Sequence, residues 1–205
     1  GVIVEELSFQ VGINDLIHID GRRINKEEKT RLWKFHKPKG LITSHKDEKS
    51  RQTIFQILPR NLPRLITVGR LDLNSEGLLL LTNDGDLKRK LELPSSKIVR
   101  SYRVRAKGVV NENKLSRLRQ GITVDGIRYR PMELNIIKQN TSNVWLSVRL
   151  REGKNREIRL SFQAIGLQVN KLIRTSFGPI TLGKLDKGQI EEVELNSFSE
   201  ILKEG

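Results

Sequence analysis

The stretch VGRLDLNSEGLLLLTNDG, residues 68–85, passes from a polar loop into four consecutive leucines and then into a turn. A short apolar run bounded by turn residues is typical of a buried strand. After the turn, Leu87 and Leu91 are four residues apart, which predicts a helix capped by Asn83 or Asp84. We therefore expect a loop, a buried strand and a helix in succession.

Alternating patterns on the C-terminal side of this stretch predict two more strands. Residues 101–107 have apolar side chains at even positions and polar, mostly basic side chains at odd positions. Residues 144–151 alternate in the same way. Helices are predicted over residues 111–120 and after a cap at Asn155. Because strands and helices are interspersed without a regular βαβ repeat, the pattern favours an α+β fold with a mostly antiparallel sheet.

The first 25 residues are predicted to form a separate small module. Short apolar alternations and the turn Asp20-Gly21 are typical of a β-rich unit. A charged stretch over residues 25–31 separates this unit from a larger domain over residues 32–205. Because the sequence opens at Gly1 and not at a methionine, we expect a trimmed or partial chain.

The charge of the chain points to a polyanionic partner. Its 205 residues include 38 Lys and Arg against 24 Asp and Glu, a formal net charge of +14. Residues 97–130 carry ten of the basic residues and two acidic ones. The alternative is a solvated basic surface that only keeps the protein soluble. The aromatic side chain of Tyr102 among these charges favours RNA binding.

Several other classes of protein are poorly supported. The sequence contains no cysteine, and its three histidines are too scattered to form a metal-ligand motif, so we expect no metal. A calcium loop that starts at Asp72 would need an acidic residue at its twelfth position, where Asn83 stands. Lys154 follows a glycine but lacks the other residues of a phosphate-binding loop. The apolar run 78–81 is far too short to span a membrane and no signal peptide is evident, so we expect a soluble intracellular protein.

The stretch that opened this section also carries a resemblance to a known family. Residues 69–72 followed by residues 77–85 resemble the signature of the bacterial ribosomal RNA pseudouridine synthases, which include the small-subunit uridine synthase and its large-subunit relatives. Four further blocks are similar to motifs of that family and occur in the expected order: residues 36–40, 101–104, 153–159, and 172–174 with 177–179. The resemblance covers roughly residues 32–190.

The resemblance implies a catalytic core with a mostly antiparallel mixed sheet, flanking helices and an RNA-binding cleft. It also implies an isomerisation in which uracil is detached from ribose C1′, turned and rejoined through C5. Asp72 matches the catalytic carboxylate, which must be ionised to act as a nucleophile or base. Arg159 matches the basic residue expected to accompany it, and Tyr102 matches the tyrosine expected to stack on the target base and help to remove the C5 proton.

Further residues are assigned to RNA binding by the same resemblance. Arg70 matches the arginine expected to fill the gap left by the flipped uridine. The other predicted RNA contacts are basic or polar residues of the matching blocks: Lys37, Lys39, Arg103, Arg105, Lys154, Asn155 and Arg156. These residues also have simpler explanations that involve no RNA. Aspartates in loops often stabilise turns, and arginines on helices often lie at the surface.

Residues 15–21 resemble the second half of an S4-type RNA-binding module, so residues 1–25 are identified as a partial S4-like module. The sequence holds no counterpart of the helices that precede this segment in such modules. Their absence affects the predicted folding and RNA affinity of the module, not the predicted chemistry of the core.

The expected reaction is therefore conversion of uridine to pseudouridine in ribosomal RNA. The leucine block and residues 151–157 are more similar to the large-subunit members, which favours 23S over 16S RNA as the substrate. The resemblance implies no cofactor, and we expect a cytoplasmic monomer that acts on ribosomal RNA or on an assembling ribosomal subunit. The alternatives are a ribosome-assembly protein that binds RNA without turnover, a metal-dependent RNA hydrolase and a basic structural protein.

Overall fold

The computed structural model describes residues 2–6, 8–12, 15–23, 28–45 and 47–199, and a nine-stranded mixed sheet runs through most of them. In chain order the elements are β1 (His18–Ile19), β2 (Arg22–Arg23), β3 (Leu32–Lys37), β4 (Ile66–Val68), β5 (Glu76–Thr82), α1 (Gly85–Glu92), β6 (Arg100–Lys107), α2 (Glu112–Arg119), β7 (Ile122–Val124), β8 (Ile127–Tyr129), β9 (Glu133–Gln139), β10 (Asn143–Leu150), α3 (Glu157–Ala164), β11 (Gln168–Phe177), β12 (Ile180–Thr181) and β13 (Ile190–Val193). None of the described helices is long and apolar enough to cross a membrane.

The large sheet has the strand order β13-β3-β5-β11-β6-β10-β9, with β4 paired to β5 and β12 paired to β11. Among the described strands, every pairing is antiparallel except that of β5 with β11. The predicted α+β fold with a mostly antiparallel sheet is therefore confirmed. The parallel contact joins the N-terminal half of the sheet to the C-terminal half.

Strand β5 lies inside the protein on both of its faces. All seven of its residues are buried, as the four consecutive leucines predicted. Leu78 and Leu80 pack into one apolar cluster, and Leu79 and Leu81 pack into another on the opposite face. Full burial of a leucine side chain stabilises a fold by about 1.5–3 kcal/mol, so this strand anchors the N-terminal half of the sheet.

Strands β6 and β10 have one buried face and one exposed face. In β6 the side chains of Val104 and Ala106 are buried while Arg103 and Arg105 are exposed, as the alternation predicted. The buried face of both strands packs against apolar residues of α2 and α3, such as Leu118 and Phe162. A core covered by helices therefore lies on one side of this half of the sheet.

The helices begin close to the predicted positions, with one exception. Asp84 caps α1 by accepting hydrogen bonds from the backbone N–H groups of Asp86 and Leu87, as predicted. The predicted cap at Asn155 is wrong, because α3 is preceded directly by Arg156, whose backbone is left-handed with a φ of 50°. The chain therefore turns sharply at an arginine immediately before the helix.

The described residues of the predicted N-terminal module include a small hairpin. The turn predicted at Asp20-Gly21 is confirmed, and both residues have the positive φ of a two-residue hairpin connection. Residues 1, 7, 13–14 and 24–25 of the predicted module lie outside the described part of the chain, as do residues 200–205 of the predicted large domain.

Gly77 stands where β5 and β11 run parallel, paired with Arg174. A Cβ atom at this glycine would lie 2.3 Å from the backbone oxygen of Arg174, and the φ of 108° is also unfavourable for other residues. We expect Gly77→Ala to lower the free energy of unfolding by about 3 kcal/mol or more, measured by urea denaturation. Gly85→Ala is the matched control, because a Cβ there meets nothing within 4 Å. Equal stability of the two variants would contradict this role.

Candidate active site

A cleft of about 950 Å³ lies beside the parallel contact of β5 and β11. Its walls come from the loop after β4, the first half of β6, the loop between β10 and α3, and the middle of β11. The predicted residues Arg70, Asp72, Tyr102, Lys154, Asn155 and Arg156 line it. Residues from four separate parts of the sequence thus meet at one surface.

Asp72 lies in the loop between β4 and β5, four residues before the parallel contact. Its backbone oxygen accepts a hydrogen bond from the N–H of Ser75 at 3.0 Å, which closes a turn. Its side chain is 34% exposed, and one carboxylate oxygen lies 3.9 Å from the Nη1 atom of Arg156. A partly exposed pair at this distance adds little stability, but it places a positive charge beside the carboxylate. Asp72 therefore offers an accessible, negatively charged oxygen to the cleft.

Lys37, at the end of β3, supports this loop from inside the protein. Its side chain is completely buried, and the ammonium donates to the backbone oxygens of Asp72 at 3.2 Å and Ser75 at 3.0 Å, and to that of Pro38. Burial lowers its pKa to about 8, although Asp72 and Glu76 act in the opposite direction. The prediction that Lys37 contacts RNA is corrected, because an ammonium enclosed by backbone carbonyls has no access to the surface.

Arg159, on α3, fixes the loop from another side. Its guanidinium donates to the backbone oxygen of Asn74 at 2.8 Å and to that of Val169 at 3.0 Å. Burial and the neighbouring Arg156 lower its pKa, whereas the charge of Asp72 raises it. The direct ion pair with Asp72 is made by Arg156, which the sequence had suggested as an RNA contact. Arg159 lies within the electrostatic reach of Asp72 and bonds to its loop.

Tyr102 faces the same cleft from the first half of β6. It is half-buried and lies between Arg174 on β11 and Val148 on β10 in the sheet register. Its ring packs against the cores on both sides of the cleft. An aromatic side chain held in this way presents a fixed surface on which a base can stack.

Two further arginines of the cleft were not predicted from the sequence: Arg174 is buried and Arg100 is half-buried. Arg174 donates from Nε to the backbone oxygen of Leu78 at 2.6 Å and has one Nη atom without a partner among the described residues. Arg100 donates to the backbone oxygens of Ile98 and Arg151, and burial lowers its pKa. Both guanidinium groups lie over the ring of Phe177, at 4.8 Å for Arg100 and 5.5 Å for Arg174. The sequence did contain one signal for Arg174, because this residue belongs to the block 172–174 that resembles a motif of the family.

Glu157, the first residue of α3, has a buried carboxyl group next to the loop between β10 and α3. It accepts a hydrogen bond from the backbone N–H of Lys154 at 3.2 Å. Burial, reinforced by the charge of Glu152, raises its pKa to about 8. Partial burial acts to raise the pKa of Glu152, but hydrogen bonds from the backbone of Arg130 and from the ammonium of Lys154 hold this pKa below the ordinary value. At neutral pH Glu157 therefore stays protonated next to an ionised Glu152.

Three predicted RNA contacts lie outside the cleft. Lys39 is exposed in the turn after β3 and does not line it. Arg103 and Arg105 occupy the odd positions of β6 and point to the other face of the sheet from Tyr102. Within the described residues, no three histidine, aspartate or glutamate side chains are grouped closely enough to hold a metal ion.

The buried Glu157 makes stability depend on pH. Between pH about 4.5 and 8 the folded chain holds a proton that the unfolded chain has lost, so stability falls as pH rises through this window. Glu157→Gln removes that titration, and we expect its stability relative to the wild type to improve by an amount on the order of 3 kcal/mol from pH 5 to 9. Urea unfolding at several pH values measures this, with Glu48→Gln as an exposed control. Parallel pH profiles for the wild type and Glu157→Gln would disprove the assignment.

Comparison with known proteins identifies the family. The profile of the RNA pseudouridylate synthases matches residues 31–164, a span that contains Asp72, Tyr102 and Arg159. An uncharacterized RNA pseudouridine synthase of Rickettsia prowazekii (strain Madrid E) is 49% identical over 194 residues, which are 94% of this chain and 81% of that protein. The ribosomal large subunit pseudouridine synthase B of Pasteurella multocida (strain Pm70) is 40% identical over 189 residues, 89% of this chain and 55% of that protein.

Comparison of the fold with solved structures identifies the same family. A crystal structure of a pseudouridylate synthase superimposes with a TM-score of 0.77 at 25% identity, covering 98% of this chain and 86% of the other. With the family profile matching well over half of the chain, the sequence and the architecture agree. The chain therefore belongs to the RNA pseudouridine synthases, the isomerases that convert uridine in RNA to pseudouridine.

Proposed function

We propose that this enzyme converts a uridine of large-subunit (23S) ribosomal RNA to pseudouridine and that Asp72 is its catalytic carboxylate. The observation that carries the proposal is the setting of Asp72. Its carboxylate is open to the cleft and faces Arg156, while Lys37 and Arg159 hold the backbone of its loop from behind. A nucleophile or base needs a fixed position, and these contacts favour it.

The proposed reaction breaks the bond between ribose C1′ and N1 of uracil and forms a bond between C1′ and C5. Asp72 attacks either the sugar or the base in the first step, and is released again when the new bond is complete. The proton on C5 leaves at the end, with Tyr102 as the group that helps to remove it, and N1, freed from the ribose, takes up a proton from solvent. Because the base is turned and rejoined, the product is an isomer of the substrate and no co-reactant is consumed.

The flipped nucleotide needs contacts on all sides while it is outside the helix. Arg70, at the mouth of the cleft, is proposed to fill the gap in the RNA, and Tyr102 to stack on the extruded base. Lys154, Asn155 and Arg156 line the same cleft and are proposed to contact the RNA backbone. The backbone of Arg156 is left-handed and turns the chain sharply just before α3. Such strained backbone conformations are common at functional sites.

The choice of 23S RNA rests on relatives named as large-subunit synthases. The enzyme of Pasteurella multocida is one, and that of Haemophilus influenzae (strain ATCC 51907 / DSM 11121 / KW20 / Rd) is another at 39% identity. A synthase for small-subunit (16S) RNA is the alternative. We also propose that residues 1–25 act as a partial S4-like RNA-binding module, since the exposed Arg22 and Arg23 of its hairpin suit a phosphate backbone.

The catalytic role of Asp72 is tested by tritium release from ribosomal RNA labelled at uridine C5. We expect Asp72→Asn to release tritium on the order of a thousandfold more slowly than the wild type, because an amide can neither attack carbon nor accept the proton. Asp125→Asn, in the turn between β7 and β8, is the matched control and keeps full activity. Circular dichroism verifies folding of both variants. Equal release by Asp72→Asn and wild type would remove Asp72 from this role.

The substrate is tested by incubating the enzyme with protein-free 23S and 16S transcripts and with assembling subunits. Pseudouridines are then located by chemical labelling and primer extension. We expect a new pseudouridine in 23S RNA or in its assembling particle and none in 16S RNA. Modification of 16S RNA would overturn the choice of subunit. Binding to both RNAs without any modification would instead support a non-catalytic assembly protein.

A further inference from the structure

The sheet has a second basic surface on the face turned away from the cleft. A row of side chains crosses four neighbouring strands there, because the register pairs Lys171 with Arg105, Arg105 with Trp145, and Trp145 with Lys138. Arg103 and Lys107 flank Arg105 on the same face of β6. We call these six residues the outer sheet face. Neighbouring strands are about 4.8 Å apart, so the row spans about 14 Å.

The charges of the outer sheet face have few partners within the protein. Arg103, Arg105, Lys107 and Lys138 are exposed and form no ion pair with another described residue. Lys171 is paired with Glu76 at 3.2 Å. Four unneutralised cations on one flat surface repel each other, and a polyanion relieves that repulsion.

The aromatic residue in the row gives the surface a further property. Trp145 is partly exposed, and the guanidinium of Arg103 lies over its ring at 5.1 Å from the centroid. Bases of single-stranded RNA stack on aromatic rings and on guanidinium planes, and basic side chains around such a ring bind the phosphates. A duplex keeps its bases stacked inside and cannot use such a surface in this way. The combination therefore fits a single strand.

A second groove adjoins the cleft and extends along β9 towards the outer sheet face, although none of the six residues of that face lines it. This groove of about 650 Å³ is lined by Arg119, Arg130, Arg149 and Arg151, and it shares Arg130 and Arg151 with the cleft. It also reaches Asn135 and Arg149, which belong to odd positions on the outer side of β9 and β10. Three of its arginines are paired with carboxylates, Arg119 with Glu112, Arg130 with Glu152 and Arg149 with Glu133. Even so, a basic path leads around the edge strand β9.

We propose that the outer sheet face binds a single-stranded segment of the substrate RNA while another part of the same RNA occupies the cleft. This inference rests on the proposed function for the identity of the RNA, but the surface itself can be tested without it. The RNA continues from the cleft through the arginine-lined groove and around β9 to Trp145. A minimal stem-loop then fills only the cleft, whereas a longer substrate with an unpaired flank engages both faces.

Tryptophan fluorescence reports on this surface directly. The chain has two tryptophans, and Trp33 is only 2% exposed, so a bound base quenches mainly the emission of Trp145. The probe is a twelve-residue oligoadenylate, which binds single-strand sites and contains no uridine to react. We expect saturable quenching by the wild type and its loss in Trp145→Leu. No quenching, or quenching by a duplex of the same length in preference to the single strand, would overturn the proposal.

Charge reversal then tests the cations of the row. We expect the double variant Arg105→Glu and Lys138→Glu to weaken oligoadenylate binding at least about tenfold, and to reduce the slope of log affinity against log salt by about 1.4, from roughly 0.7 per phosphate contact. The matched control is Arg60→Glu with Lys184→Glu, two exposed residues outside the row with the same change in net charge. Equal weakening by both double variants would reduce the effect to overall charge and contradict the proposal.

Activity measurements separate this inference from the proposed function. With the uridine located as above, we expect the Arg105→Glu, Lys138→Glu variant to turn over a minimal stem-loop as the wild type does. With a transcript that carries the unpaired flank, its KM rises about tenfold and kcat is unchanged. Equal KM values for both proteins on the longer transcript would overturn the inference. If neither RNA were modified by the wild type, the proposed function would fail while the fluorescence results on the outer sheet face would stand.

Discussion

The close approach of two backbones at Gly77 and Arg174 is the constraint on which the rest of the structure depends. It joins the two halves of the sheet through the parallel pairing of β5 with β11, and the missing side chain of Gly77 allows it. Asp72 lies in the loop five residues before Gly77, and Tyr102 is paired with Arg174 on the far side of β11. A displacement of this contact would separate the carboxylate from the tyrosine. The same backbone contact therefore holds the sheet together and assembles the cleft.

The buried charges around the cleft are satisfied mainly by backbone carbonyls. Lys37, Arg159 and Arg174 each donate to carbonyl oxygens of the segment 72–78. A buried cation that paired directly with the carboxylate of Asp72 would cancel its negative charge. A backbone carbonyl also accepts the hydrogen bond, but it carries no net charge. Two cations, Lys37 and Arg159, therefore hold the loop, and Arg174 holds the strand that follows it, while the side chain of Asp72 remains at the cleft. Such a division of roles explains why rigid support and an accessible carboxylate occur in the same loop.

Local patterns in the sequence predicted the parts of the fold that local forces determine. The four leucines, the alternation in β6 and β10, and the cap at Asp84 each depend on residues close together in the chain, and all were confirmed. The pairing of β5 with β11 joins residues 76 and 173 and leaves no local trace. For the same reason the burial of Lys37, the support given by Arg174 and the protonated Glu157 were not predicted. The left-handed turn at Arg156 displaced the expected cap because arginine gives no signal for that conformation. The roles of Asp72, Tyr102 and Arg159 came from the resemblance to a family, which composition and periodicity could not have supplied.

The distribution of positive charge bears on how such an enzyme selects its RNA. Residues 97–130 contain a large excess of basic residues, yet the alternation of β6 sends Arg103 and Arg105 away from Tyr102. The net charge of +14 is therefore divided between the two faces of the sheet, and only part of it lies at the cleft. Phosphate contacts on two faces hold an RNA in one orientation without reading its sequence. An RNA whose shape places an unpaired segment at the right distance from the target uridine can bind to both the cleft and the outer sheet face. Other stem-loops can bind only to the cleft. Because the covalent step is the same for every uridine, the geometric requirement of the proposed two-face binding is one physical means of discriminating among uridines.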